Sequence, residues 1–192
     1  MRTLPALALA GLLFATAAAQ APKPQNLAVN GGFDQGADPG GFKTFKKGDK
    51  FPGWTIAKGS IDQIGSYFKC AHKWCVDMDG NEPGGIRQSI ATEAGKKYEV
   101  AFLLSANPQC GEPKKTLRVA AVGDSKLFAV TPKNPMAWAR QTWQFTAQED
   151  KTALSFDSLD KSGACGPLLD SVVVTLVPEP PPDAAPTGEK PK

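Results

Sequence analysis

A single histidine, His72, in 192 residues leaves almost no imidazole for acid–base chemistry or zinc ligation. A charge excess is missing too. The 22 Lys and Arg residues face 19 Asp and Glu for a net charge of +3, and the basic residues are scattered, so no nucleic-acid partner is expected. No stretch carries helical periodicity over three turns, which excludes bundles and coiled coils. After Ala21 no run is apolar enough to cross a bilayer, so no transmembrane segment is expected once the leader is removed. Gly-x-Ser-x-Gly and C-x-x-C are absent, and Gly84-Gly85 opens a strand rather than a helix, so neither a hydrolase elbow nor a phosphate loop is present.

What is abundant is punctuation, with Gly 19 and Pro 17. Between Gly84 and Val177 these residues separate segments that alternate with period two, the pattern of strands with one buried face. The stripes are Ile86, Gln88 and Ile90; Tyr98, Val100, Phe102 and Leu104; Leu117, Val119 and Ala121; Trp143 and Phe145; Leu154 and Phe156; and Val172, Val174 and Leu176. Upstream, Leu27 to Asn30 reads as a short strand and Gly31 to Lys50 as a Gly- and Lys-rich loop. Trp54 to Ile64 reads as two strands broken at Gly59, and Trp74 to Asp79 alternates again. About ten strands in one segment predict an all-β antiparallel sandwich of jelly-roll type.

Met1 to Ala21 has the form of a secretory signal peptide, with Arg2, an apolar stretch from Leu4 to Ala19, and a small-x-small end at Ala19-Gln20-Ala21. The domain then spans 22–177, and Pro178 to Lys192, rich in proline and poor in apolar residues, reads as a disordered tail. Export predicts a secreted, periplasmic or envelope-associated monomer. In that compartment the four cysteines are read as two disulfides, Cys70 with Cys75 and Cys110 with Cys165. On the chain-entropy account the short loop contributes ~2 kcal/mol and the long one about 4.

Binding residues are sought among aromatics and their polar neighbours, because sugars stack on ring faces and hydrogen-bond to amides, carboxylates and guanidiniums. Tyr67, Phe68 and Trp74 flank the Cys70–Cys75 loop, with Asp62, Asp77 and Arg87 supplying polar contacts. Trp74 alternates with Val76 and Met78 and so reads equally as core. Trp54, Trp138 and Trp143 are assigned to the core. A Ser-His-Asp arrangement would have to use His72, inside a tight cysteine loop, and the spacing from Asp77 to Gln88 fails the EF-hand pattern at positions six and twelve. The chain reads as a non-enzyme with no required cofactor.

The blocks NLAVNGGFD, FPGWT, GSIDQIG, VDMDGNEPGGIRQSI, YEVAFLLSANP, KTLRVAAVG, WQFTA and SGACGPLLDSVVV follow one another in that order. Together, from Asn26 to Val174, they resemble the domain of unknown function 642, known in bacteria as choice-of-anchor C proteins. That resemblance implies a galactose-binding-like jelly roll related to carbohydrate-binding modules. It also implies a polysaccharide or cell-wall glycan as partner rather than a substrate to be turned over. A structural calcium in such modules sits between the loop after the first strand and the last strand, positions matched here by Asp34 and Asp170. Asp34 stands where the family commonly carries Glu, and the Cys70–Cys75 pair departs from its pattern. Val177-Pro178-Glu179-Pro180 is similar to the start of a sorting signal, without the hydrophobic helix and basic end that complete one. The alternative reading is a structural envelope protein that binds another protein.

Overall fold

The computed structural model describes residues 25–109, 114–161 and 163–179. The expected leader at 1–21, the tail from residue 180 onward and Cys110 lie outside the described residues. Within them there is no helix, and none long and apolar enough to cross a membrane.

Twelve strands are described. They are β1 (Phe42–Lys46), β2 (Lys50–Phe51), β3 (Trp54–Lys58), β4 (Ser60–Ile64), β5 (Cys75–Asp77), β6 (Gly85–Ala91), β7 (Lys97–Ala106), β8 (Lys115–Ala121), β9 (Asp124–Val130), β10 (Ala139–Thr146), β11 (Lys151–Ser158) and β12 (Pro167–Leu176). They form two antiparallel six-stranded sheets, ordered β1-β4-β5-β12-β7-β10 and β2-β3-β6-β11-β8-β9. The expected sandwich is the observed fold.

The inner faces meet in one apolar core. Phe102 of β7 and Phe156 of β11 come from opposite sheets, and their rings meet edge to face at 5.5 Å. Trp54 continues the seam at 5.9 Å from Phe156, and Phe33 at 5.7 Å from Trp54. Crossed rings of this kind interdigitate without voids, which fixes the sheet separation. Gly59 turns the chain from one sheet into the other at φ +50°, where a side chain would strike the Pro83 carbonyl.

Two upstream expectations change. Leu27 to Asn30 forms no strand, because side chains take over the role of a ladder. Gln88 accepts from the Val29 amide at 2.7 Å and donates to the carbonyls of Val29 and Gly53, while the Leu27 amide reaches Val174. Conversely, the expected loop from Gly31 to Lys50 contains β1 and the start of β2. β1 and β9 are edge strands with largely exposed side chains, so neither carries the apolar alternation that reveals a strand.

Candidate functional site

Residue order within β4 and β5 decides which side chains leave the core. Ile61 and Gln63 point inward, and the Gln63 amide donates to the Phe33 carbonyl at 2.7 Å. Asp62 and Ile64 therefore face outward, as period two requires. Register places Asp62 opposite Asp77 and Ile64 opposite Cys75. The chain leaving β4 folds over this face. The Gly65, Ser66 and Tyr67 amides donate to the carbonyls of Gly40 and Gly41, and the Cys70–Cys75 disulfide closes the loop with Cα atoms 5.5 Å apart. Cys165 is also disulfide-bonded, and no cysteine among the described residues is free.

The result is an open cleft of about 350 Å3, near the lower end of the range of ~300–1,000 Å3 typical of ligand sites. Its aromatic wall is a contiguous run. Phe42 lies 5.5 Å from Tyr67, and Tyr67 lies 4.8 Å from Phe68. Tyr67 is 54% exposed and Phe42 49%. The floor holds Asp62, Asp77 and Asn107, with Asn81 and Gln109 at the side.

The two acids are held differently. Asp77 is fully buried, and its oxygens accept from the Asn107 amide at 2.6 Å and the backbone amides of Asp79 and Gly166 at 2.9 Å each. Burial nevertheless dominates those donors and pushes it up to about 7. Asp62 accepts from the Thr44 hydroxyl at 2.6 Å through Oδ1, and burial raises it as well. Among the described residues Oδ2 of Asp62 has no donor.

Tyr67, Phe68, Asp62 and Asp77 thus come together, whereas the other two candidates do not. Trp74 is buried, with the Lys73 ammonium 4.1 Å from its ring, so its faces are closed to a sugar. Its alternation with Val76 had pointed to that. Arg87 is exposed on β6, in the opposite sheet. Sequence reasoning missed Phe42, Asn81, Asn107 and Gln109. Phe42 sat inside the presumed loop, and the amides reach the cleft only through the pairing of distant strands. Trp138, assigned to the core, is only partly buried and lines a second, apolar hollow that shares Phe68 with the cleft.

The two residues of the expected calcium pair differ in exposure. Asp34 is exposed, while Asp170 is fully buried and already accepts from the His72 amide at 3.0 Å and the Ser171 hydroxyl at 3.1 Å. Among the described residues no three His, Cys, Asp or Glu side chains gather as metal ligands.

His72 does meet a serine and an aspartate. Its Nδ1 lies 2.7 Å from Ser171 Oγ and 3.6 Å from Asp170 Oδ2. Both contacts fall on one ring nitrogen, whereas a relay needs the two partners on opposite nitrogens. The cluster works as a latch that ties the disulfide loop to β12, where Ser171 sits in the bulge at φ +54°. Replacing both Cys70 and Cys75 by alanine should cost ~2 kcal/mol in chemical denaturation, the entropy of a short closed loop. A loss below a few tenths would show that the latch alone holds it.

A family model described as "Protein of unknown function (DUF642)" matches residues 26–175. Halomucin of Haloquadratum walsbyi is 32% identical over 139 residues, covering 70% of this chain and 2% of its own length. Protein TEEBE of Arabidopsis thaliana is 30% identical over 177 residues, covering 79% of this chain and 46% of its own. The chain spans less than half the length of these curated relatives. Among solved structures, TmCBM61 in complex with β-1,4-galactotriose superposes with a TM-score of 0.51 at 15% identity, covering 80% of this chain and 99% of that one. A family 16 carbohydrate-binding module gives 0.51 at 13%, covering 78% and 99%. At such identities the likeness establishes the jelly-roll fold.

Proposed function

The chain belongs to the family described as "Protein of unknown function (DUF642)", and from that premise we propose that this domain binds a cell-wall or extracellular polysaccharide in the Phe42–Tyr67–Phe68 cleft, without turning it over. The observation that carries the reading is the contiguous exposed aromatic wall above a floor of hydrogen-bonding carboxylates and amides. Ring faces cover the apolar C–H surface of a sugar while the floor answers its hydroxyls. The latch and disulfide hold the wall in place before a ligand arrives, which lowers the ordering cost of binding. The same fold in TmCBM61 holds β-1,4-galactotriose, so β-1,4-galactan heads the panel of polysaccharides to test.

The floor supports a reading without turnover. Asp77 is fully buried and already accepts from three protein donors, so it does not stand beside Asp62 as a second exposed carboxylate. The disulfides agree with an exported, envelope-associated domain, the compartment where such bonds persist.

Affinity electrophoresis against the panel, with Tyr67→Ala beside the wild type, tests the reading. Retention by at least one polysaccharide should fall by about tenfold in the variant, since an aromatic stacking contact contributes ~0.5–1.5 kcal/mol on top of the apolar area it buries. Equal retention of a folded Tyr67→Ala protein would remove the cleft as the site.

A further inference from the structure

The cleft has an unusual charge content for a protein of net charge +3. Its charged lining, among the described residues, consists of Asp62 and Asp77 alone, and no Lys, Arg or His contributes to it. Two acids directly opposite in the β4–β5 register would ordinarily repel and be avoided. Here the fold buries one of them and gives it three donors, and among the described residues leaves the other with an open oxygen. Asp62, which lines the cleft, thus keeps in Oδ2 an acceptor with no donor among the described residues, and the remaining lining groups are amides, aromatics and small apolar residues.

We propose that this cleft selects neutral glycan chains and rejects polyuronates and sulfated glycans, with Asp62 setting the choice. The proposal rests on the carbohydrate reading above and names the ligand class of that same site. A hydroxyl donates its proton to Asp62 Oδ2 and gains a charge-assisted hydrogen bond. A carboxylate or sulfate in the same place has no proton to give. It meets a like charge in a partly desolvated hollow with no cation to compensate, and repulsion there is much less screened than on an open surface. Cations do stand nearby, since Lys69 lines the neighbouring apolar hollow and Lys73 covers Trp74, but neither lines the cleft itself. Selection by charge is thus local to Asp62, not a property of the whole surface, whose positive balance would favour anionic chains.

The experiment pairs each retained hexose polysaccharide with its C6-oxidised form, which keeps the linkage and converts primary alcohols to carboxylates. Affinities are measured by calorimetry at neutral pH for the wild type and for Asp62→Asn. Asparagine keeps an oxygen for the Thr44 hydroxyl, so the strand pair is preserved. The wild type should bind the oxidised chain about tenfold or more weakly than the neutral one, and Asp62→Asn should shrink that ratio severalfold. The ratio is the diagnostic, because a merely structural loss would weaken both chains alike. Equal wild-type affinity for the two forms, or an unchanged ratio in Asp62→Asn, overturns the selectivity while leaving carbohydrate binding intact. Retention of no polysaccharide at all overturns the carbohydrate reading, and the selectivity with it.

Discussion

Truncating Phe156 to alanine is expected to remove ~3–5 kcal/mol of stability, the range for a buried aromatic whose neighbours cannot close the gap. Its ring is fully buried and touches Phe102 in the facing sheet and Trp54 on its own. Those neighbours are themselves locked, Phe102 by Phe128 at 5.0 Å and Trp54 by Phe33. Collapse into the hole would therefore have to move both sheets. A urea melt followed by tryptophan fluorescence measures the loss directly. A cost under about 1.5 kcal/mol would mean that the seam is plastic and that other contacts set the sheet spacing. Leu154, on the same inner face of β11, offers a comparison, with ~2–5 kcal/mol expected for its alanine variant.

The second large effect concerns pH. Beyond β5 the chain buries Asp79, whose two oxygens make no well-aligned hydrogen bond among the described residues. Gly166 packs so closely over it that any side chain there would strike the carboxyl group. Burial pushes Asp79 up to about 6; the Ser158 hydroxyl and Lys115 pull it down, and Asp160 pushes it further up. Lys115 lies 3.7 Å from Asp160 Oδ2, beyond hydrogen-bond reach, so the cation only partly compensates. Asp77, Asp62 and Asp170 are raised by burial too.

A carboxylate with a raised folded pKa contributes stability that is complete below its unfolded value of ~3.9 and is lost as pH climbs through the folded one. For Asp79 and Asp77 that loss runs through about 6 and about 7. The domain should accordingly be less stable at pH 8 than at pH 5, by on the order of 2 kcal/mol, or ~4–8 °C in Tm for a domain of this size. Asp79→Asn should raise Tm at pH 8 and flatten the profile, because an amide cannot ionise and its N–H can donate to the neighbouring Asp160 carboxylate. Scanning calorimetry of both proteins across this range decides the matter. A stability that rises with pH, or the same slope in both proteins, would refute the assignment.

Legibility in the sequence followed burial. β6, β7, β8, β10, β11 and β12 each press one face on the core, so their apolar stripes were visible and the sandwich could be read from them. β1 and β9 are edges with lysines and open faces, and a strand that buries little leaves little periodicity. The site divides the same way. Tyr67 and Phe68 stood out because rings flanking a short cysteine loop have no strand to bury them. Trp74 carried its own counter-signal in alternation. Phe42 and the amides at 81, 107 and 109 enter through register and loop closure, which are pairings between distant segments and leave no mark on local spacing.

β12 is the last strand in the chain to be made. β12 is not an edge but lies between β5 and β7, and the Asn26–Leu27 segment binds Val172 and Val174 along it. Until residues 167–176 are available, β5 and β7 have no partner on their facing sides, and half the core has no lid. Contacts of such long sequence separation fold on the millisecond-to-second scale. An emerging chain therefore cannot complete this sheet until nearly all of the domain is free.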